Sequence, residues 1–309
     1  MSLCCWAGAQ ARLARCPPQQ TAAWQHNSRR LAQQPPVQRP LTGSGAGGSN
    51  ACRPLSPAFA ATWQPPAGLS IMPWTGEPEQ VAALEALRAR MAASPYPDAA
   101  QDDATLRWFL QDRKLDVDEA EEKLLKMLRW RREFGADFIE WTDIAREAAT
   151  GKAYLHSHTD VTGRPVIVVR AAKHVTGASN LQDSQRLCVH LMDRALERLA
   201  GAGGATPDPA QGGVQTVLGI FDLRGFTSAN ADWGFVRFLV DIFFLYYPKR
   251  LSQVLFVDAP WVFKPGWEIV RPWLKKYAAL VRFVRADDVR REYFTAETVP
   301  EDFQQKAKK

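Results

Sequence analysis

Two groups of residues in the sequence are of types that could perform chemistry. His156-Ser157-His158, followed by Asp160, offers imidazole and carboxylate groups, but no second cluster with metal-ligand spacing follows. Asp222 and Asp258 each end an apolar run and could act as paired catalytic carboxylates. Polar residues in a turn and aspartates at strand ends more often cap local structure. Because G-x-S-x-G, Walker and dinucleotide motifs are also missing, the sequence favours a protein that is not an enzyme and uses no metal or cofactor.

A strand–helix–strand pattern positions the two aspartates. The apolar run Val217 to Phe221 is followed by a segment of helical spacing that starts at Trp233. Tyr246-Tyr247-Pro248 stops that helix, and the apolar run Val254 to Val257 leads to Asp258. Such a unit implies a parallel sheet covered by helices.

Further elements surround this unit. A helical region runs from about Glu77 to Arg132, with aspartates expected to cap its second and third helices at Asp102 or Asp103 and at Asp116. The other predicted elements are a turn at 160–165, a strand at 166–170, a helix at about 183–199, a Gly/Pro-rich loop at 201–213, a helix ending near Leu274 and a strand at 280–284.

Several of these patterns together resemble one family. The order of a leucine-rich helix, Arg-Lys, an aspartate-capped helix and Trp-Arg, then Asp-x-x-Gly-Arg-Pro, is similar to the CRAL-TRIO lipid-binding domain family, which includes the yeast-type phosphatidylinositol/phosphatidylcholine transfer proteins. Asp-Trp-x-Phe-Val, Tyr-Tyr-Pro-Lys and Asp-x-Pro-Trp resemble most the CRAL-TRIO domain of motile-sperm-domain-containing proteins. The resemblance covers about Leu106 to Phe303. It implies an α/β fold in which a mostly parallel sheet with covering helices encloses a hydrophobic cavity, closed by a gate helix and preceded by a small all-helical lobe.

The resemblance places the gate at about 261–274. The alternative, which spacing alone favours, is a helix that stays packed on the sheet with its tryptophans as core. The cavity and gate residues expected from the resemblance are Val217, Gly219, Phe221, Phe256, Trp261, Phe263, Trp267, Ile269, Val270, Trp273 and Leu274.

For the lipid head group, the resemblance implies that Arg113 and Lys114 contact a phosphate, a role that suits a guanidinium fork and an ammonium point charge. An exposed Arg-Lys pair can equally be solvated. Where phosphatidylinositol-binding members have an acid after Tyr-Tyr-Pro, this chain has Lys249, and where they have a later lysine it has Val281. Val217 and Gly219 stand where choline-lipid binders have hydroxyls. Phosphatidic acid, another anionic lipid, a prenylquinone or a sterol therefore remain open.

The first 76 residues differ in composition from the rest. They contain six arginines, no lysine, no acid and four of the five cysteines. The remaining 33 basic and 33 acidic residues balance, so the net charge of +6 gives no argument for nucleic-acid binding by the folded part. We expect an organelle-import leader, in a plastid rather than a mitochondrion; the alternatives are a disordered tail and a cytoplasmic protein with peripheral membrane association.

The predicted organisation is a disordered leader (1–76), a helical lobe (77–140), a lipid-binding lobe (141–303) and a basic tail (304–309). We expect a monomer that binds lipid in its cavity, contacts membranes transiently, and transfers a hydrophobic ligand between them without catalysis. The alternative is a lipid-dependent recruitment or sensor module without net transfer.

Overall fold

The computed structural model describes residues 63, 65–66, 69–200 and 214–305. The predicted loop 201–213, most of the predicted leader and the last four residues of the predicted tail lie outside these ranges. All the described residues belong to one compact unit, Pro54–Lys309.

Eight α-helices and a five-stranded sheet occur within the described ranges. The helices, numbered in chain order, are α1 (Pro78–Ala92), α2 (Asp103–Asp112), α3 (Val117–Phe134), α4 (Trp141–Ala149), α5 (Leu181–Ala200), α6 (Trp233–Asp241), α7 (Phe263–Leu274) and α8 (Ala286–Tyr293). The strands are β1 (Ala153–Leu155), β2 (Val166–Arg170), β3 (Val217–Asp222), β4 (Leu251–Val257) and β5 (Val281–Val284). Helices α4 and α8 and strand β1 have no counterpart in the sequence prediction.

The side chain of the residue just before each helix fixes where α2 and α3 begin. The Asp102 carboxylate accepts a hydrogen bond from the Thr105 N–H at 3.1 Å, and that of Asp116 accepts one from the Glu119 N–H at 2.9 Å. Each bond satisfies a backbone donor that has no partner within the helix. Gly135, with φ of 74°, ends α3 in the left-handed conformation that glycine adopts without strain. The predicted caps are thus confirmed.

Helices α1 to α3 form a helical lobe around a core of their own. Leu87, Leu106 and Leu124 are fully buried in it. Trp74 belongs to the same core with only 7% of its surface exposed. Ile71 also packs against this core, so part of the segment 69–76, which the sequence prediction placed in a disordered leader, lies on this lobe.

The sheet has the strand order β1-β2-β3-β4-β5. Strands β2 to β5 pair in parallel, and β1 pairs antiparallel with β2 at the edge. The α/β fold class and the mostly parallel sheet predicted from the sequence are confirmed. Across the described residues, no helix combines the length and the apolar character needed to cross a membrane.

Helix α6, the crossover helix between β3 and β4, ends in a π-helical turn at Ile242–Tyr246. The Tyr247 N–H accordingly donates to the Ile242 carbonyl, five residues earlier, at 2.8 Å. The wider turn changes the direction of the side chains that follow, and the Tyr246 ring stacks on Trp130 of the helical lobe at 4.2 Å between centroids. The π turn thereby joins the crossover helix to the helical lobe.

Candidate functional site

The two faces of the sheet differ in how completely they are covered. On the packed face, the side chains of β2, β3 and β4 are fully buried against α8 and the C-terminal segment. The residues of this face are Val166, Val168, Leu218, Ile220, Leu255, Val257 and Val284.

The opposite face of the sheet is called the open face here. Near the C-terminal ends of its strands, this face points towards α7. Its apolar residues are only half-buried, apart from Val217 and Gly219, which are buried, and Phe283 at its edge is 50% exposed. Its residues are Ile167, Val169, Val217, Gly219, Phe221, Val254, Phe256, Val281 and Phe283. Because strand side chains alternate between faces, the same strands supply both a sealed core and an incompletely covered apolar surface.

Helix α7 lies on the open face through aromatic rings. Phe256, on the central part of this face, contacts Phe221 at 5.6 Å, Phe263 at 5.2 Å and Trp267 at 5.5 Å between centroids. Phe256 also contacts Phe283 at 5.4 Å, and all four pairs meet edge to face. The structure therefore brings four predicted cavity and gate residues together across the space between sheet and helix.

Although it covers the open face, α7 has no fully buried residue. Trp261, just before the helix, is 86% exposed, and Ile269 on its outer side is 51% exposed. The Trp273 ring lies 6.3 Å from Trp233 of α6. The helix ends at Leu274, and the next residue, Lys275, has a positive φ of 50°. The predicted gate is thus a lightly attached helix, held by ring contacts rather than by a sealed interface.

The other predicted cavity residues lie in different surroundings. Val217 is fully buried in a second core, with Val189 of α5 and Ile242 of the π turn. Gly219 is buried beside it, where an added Cβ would meet the Phe221 ring at 3.7 Å. Val270 and Leu274 are half-buried on α7. Val217 therefore supports the helices over the sheet and does not face α7.

The predicted head-group pair lies in the tight loop between α2 and α3. Lys114 and Leu115 both have positive φ, of 53° and 70°. Lys114 is exposed, whereas the Arg113 side chain is 34% exposed and its Nη1 lies 3.3 Å from Glu119. The pair therefore combines an exposed ammonium group with a guanidinium group that already has an acidic partner.

Beneath this loop lies a buried charge cluster that sequence reasoning missed. The Asp112 side chain is 3% exposed; its Oδ2 lies 2.6 Å from Lys123 Nζ and 3.2 Å from Arg113 Nε. Its Oδ1 lies 3.5 Å from Lys249 Nζ. Lys249 also donates to the Ser70 carbonyl at 3.3 Å. Three cations, of which only Lys249 is distant in sequence, thus share one buried carboxylate, and the unusual Lys249 was the one signal of it in the sequence.

Burial governs the electrostatics of this cluster. Desolvation lowers the pKa of Lys123 and of Lys249 from the ordinary lysine value, while Asp112 opposes the shift in both. The three cations outnumber Asp112 and the more exposed Glu119, so the cluster carries excess positive charge and an added anion would stabilise it.

The candidates for metal binding and catalysis have structural partners instead. The Asp160 carboxylate binds the Arg164 guanidinium and the backbone of its own turn. His156 Nε2 lies 2.7 Å from the Thr298 carbonyl oxygen. Asp222 binds Arg224, and Asp258 accepts from a backbone N–H at the start of α8. Among the residues the structure describes, no group of three or more His, Cys, Asp or Glu side chains is placed to hold a metal ion.

The chain is similar in sequence to fungal proteins. It is 28% identical to a CRAL-TRIO domain-containing protein of Schizosaccharomyces pombe, over 62% of this chain and 45% of that protein. It is 29% identical to the phosphatidylinositol transfer protein CSR1 of Eremothecium gossypii, over 68% and 47%. It is also 29% identical to the Sec14 cytosolic factor of S. pombe, over 63% and 70%. The chain spans less than half the length of the first two of these relatives.

The fold is similar to that in the crystal structure of Sfh5. The TM-score is 0.51 at 15% identity, over 71% of this chain and 83% of that one. The CRAL/TRIO domain family matches residues 148–304, from the end of α4 to the C-terminal segment that covers the packed face. The predicted resemblance to this family and to its yeast-type transfer proteins is therefore confirmed, and the chain belongs to the CRAL/TRIO domain family.

Proposed function

We propose that this protein binds a lipid between α7 and the open face of the sheet and transfers it between membranes without catalysis. The half-buried open face carries the proposal, because it is an apolar surface under a helix that has no fully buried residue. The relative CSR1 of E. gossypii is named as a phosphatidylinositol transfer protein, which supports the same function.

The energetics of burial favour acyl chains as the ligand. Each methylene moved from water into an apolar space contributes about 0.8 kcal/mol. In the closed arrangement, the Phe256 ring on the sheet contacts the rings of Phe263 and Trp267 on α7, across the space that the chains would occupy. Displacement of α7 would replace these ring contacts by contacts with the lipid.

For the head group, we propose that Arg113 and Lys114 contact a phosphate. The excess positive charge around Asp112 supports an anionic head group at this loop. Lys249, bonded to Asp112, places a cation where phosphatidylinositol-binding members have an acid, which favours a phosphate-bearing lipid other than phosphatidylinositol.

We propose that the membrane contact is made by the outer side of α7. Trp261 is 86% exposed and Ile269 is 51% exposed, and Phe283 at the sheet edge is half-exposed. Tryptophan favours the interface between bilayer and water, where its ring is apolar and its N–H stays hydrated. The contact would be peripheral and transient.

Mass spectrometry of lipids extracted from the purified protein tests the proposal. A stoichiometric lipid is expected, together with movement of that lipid between donor and acceptor vesicles. A protein that carries no lipid and transfers none would refute it. Strong vesicle flotation without transfer would instead support the alternative function, a recruitment or sensor module, which the exposed Trp261 also favours.

The place of action in the cell stays a prediction. The S. pombe relative is named a cytosolic factor, which supports a cytosolic protein with peripheral membrane contact and speaks against a plastid. A fluorescent fusion of residues 1–76 would decide between import and a cytosolic location. Sedimentation of the purified chain would test the expected monomer.

A further inference from the structure

An open groove of about 780 Å³ lies beside the edge strand β1, between helices α4 and α5. Its volume is in the range of sites that bind ligands. Its floor is formed by apolar side chains of α5, among them Leu187 and Leu191. None of its residues belongs to α7, the open face or the Asp112 cluster, so the groove is separate from the proposed lipid site.

The backbone of β1 offers free hydrogen-bonding groups to this groove. Towards β2, the Lys152 carbonyl accepts a backbone bond of 2.7 Å and the His156 N–H donates one of 2.8 Å. In an antiparallel pair, bonded and non-bonded residues alternate along the strand. Ala153 and Leu155 therefore direct their N–H and C=O groups away from β2, at the outer edge of the described sheet, and both residues line the groove.

A free strand edge selects one kind of ligand. An extended peptide matches its alternating donors and acceptors, and the apolar floor receives every second side chain of such a peptide. An acyl chain or a compact apolar molecule would leave the backbone groups of Ala153 and Leu155 without partners.

The charges in the groove indicate the sequence of the peptide. The lining contains two guanidinium groups, those of Arg194 and Arg198, and a single carboxylate, that of Glu197. Glu197 pairs with Arg194 at 2.7 Å, and Arg198 donates to the His156 carbonyl. Burial and the neighbouring Arg194 lower the pKa of His190, which therefore adds no further charge near neutral pH. The excess positive charge suits an acidic side chain on the partner.

An exposed aromatic residue completes the surface. Trp141, at the start of α4, is 63% exposed, and its ring lies 6.4 Å from that of His190. Tryptophan and arginine are the residue types that most often dominate the energetics of protein interfaces.

We propose that this surface, the β1 groove, binds an extended, acid-bearing peptide segment of a partner protein as an additional strand on β1. The site is distinct from the lipid site, so the protein would hold a lipid and a protein partner at the same time.

Selection of phage-displayed random 12-residue peptides on the full chain tests the proposal. Enriched peptides are expected to carry Asp or Glu beside alternating apolar residues. Arg194→Glu should weaken binding of a synthetic selected peptide roughly tenfold. Arg186→Glu is the matched control, because Arg186 lies on the same helix, 35% exposed, outside the groove lining. Ala153→Pro should also weaken binding, since it removes an outward N–H and keeps the bonds to β2.

Amide hydrogen exchange distinguishes strand addition from other binding. The bound peptide should slow exchange at Ala153 and Leu155 and leave Tyr154, already bonded to β2, unchanged. The proposal is wrong if no peptide is enriched, if Arg194→Glu binds as tightly as the Arg186→Glu control, or if the two amides stay unprotected. A dimer of the chain that Ala153→Pro dissociates would also overturn it, because the occupant would then be a second copy.

Discussion

Replacement of Asp112 by Asn should destabilise the protein strongly, because it leaves two buried ammonium groups without their carboxylate. Lys123 Nζ lies 2.6 Å and Lys249 Nζ 3.5 Å from this carboxylate. The side chains of the two lysines are only 9% and 8% exposed, so water cannot replace the lost partner well. The change keeps the size of the side chain and removes its charge.

The magnitude follows from the burial of the cluster. Removing one partner of a buried ion pair costs about 3–5 kcal/mol, because the remaining charge is left uncompensated. Lys249 keeps its bond to the Ser70 carbonyl at 3.3 Å, which offsets part of the loss. We therefore expect a loss near the lower end of that range, about 3 kcal/mol, at pH 7.

The loss should depend on pH with a definite sign. Burial lowers the pKa of both lysines in the folded state, and loss of the carboxylate lowers it further. In the window between the folded pKa and the unfolded value near 10.5, the unfolded state binds more protons, so stability rises with pH. The destabilisation should therefore shrink as the pH approaches 10.

Urea unfolding followed by tryptophan fluorescence measures the effect. Glu119→Gln is the control: Glu119 pairs with Arg113 at 3.3 Å but is 60% exposed, so its loss should cost less than about 0.5 kcal/mol. The reasoning is refuted if Asp112→Asn unfolds within 1 kcal/mol of the unmodified chain, or if its loss is the same at pH 7 and pH 10.

Three further predictions concern the gate, the sheet and the response to acid. Trp261→Ala should weaken vesicle flotation roughly tenfold, about 1.5 kcal/mol, while Trp141→Ala leaves it unchanged; equal losses would contradict a membrane surface at α7. Gly219→Ala should leave stability within about 1 kcal/mol, since an added Cβ makes ordinary contacts, but lower the bound lipid measured by mass spectrometry. Burial and Lys152 lower the pKa of His174 from 6.5. The contribution of neutral His174 to the free energy of unfolding should therefore be fully present above pH 6.5 and decrease below it, as the unfolded state takes up the proton. His174→Gln should flatten that fall in urea titrations, and an unchanged slope would argue against it.

Local patterns were sufficient to predict most of the elements. The alternation of apolar runs and turns placed β2 to β5, and Asp102 and Asp116 marked helix starts, because capping depends on residues two or three positions away. Strand β1 was missed because it has three residues, too few to show an alternating pattern. Helix α4 starts at the exposed Trp141, whose apolar side chain gives no sign of the surface position it takes.

The candidate site was predictable only in part, for a related reason. The resemblance placed the predicted gate in one continuous segment, and the aromatic residues Phe263, Trp267 and Trp273 of that segment lie on one helix, α7. The Asp112 cluster was not found, because Asp112 and Lys249 are 137 positions apart and meet only through the packing of the helical lobe on the π turn. No periodicity or spacing carries that information. The resemblance showed that Lys249 was unusual, and the fold was needed to show its partner.

The unequal covering of the two sheet faces explains how one domain can be both stable and able to open. Val289 and Tyr293 of α8 are fully buried on the packed face, so displacing that helix would expose a complete core. Helix α7 has no fully buried residue, so its displacement exposes much less new apolar surface to water. Much of the buried apolar surface then lies on the packed face, in the helical lobe and in the second core around Val217. The open face is left with contacts weak enough for a lipid to replace.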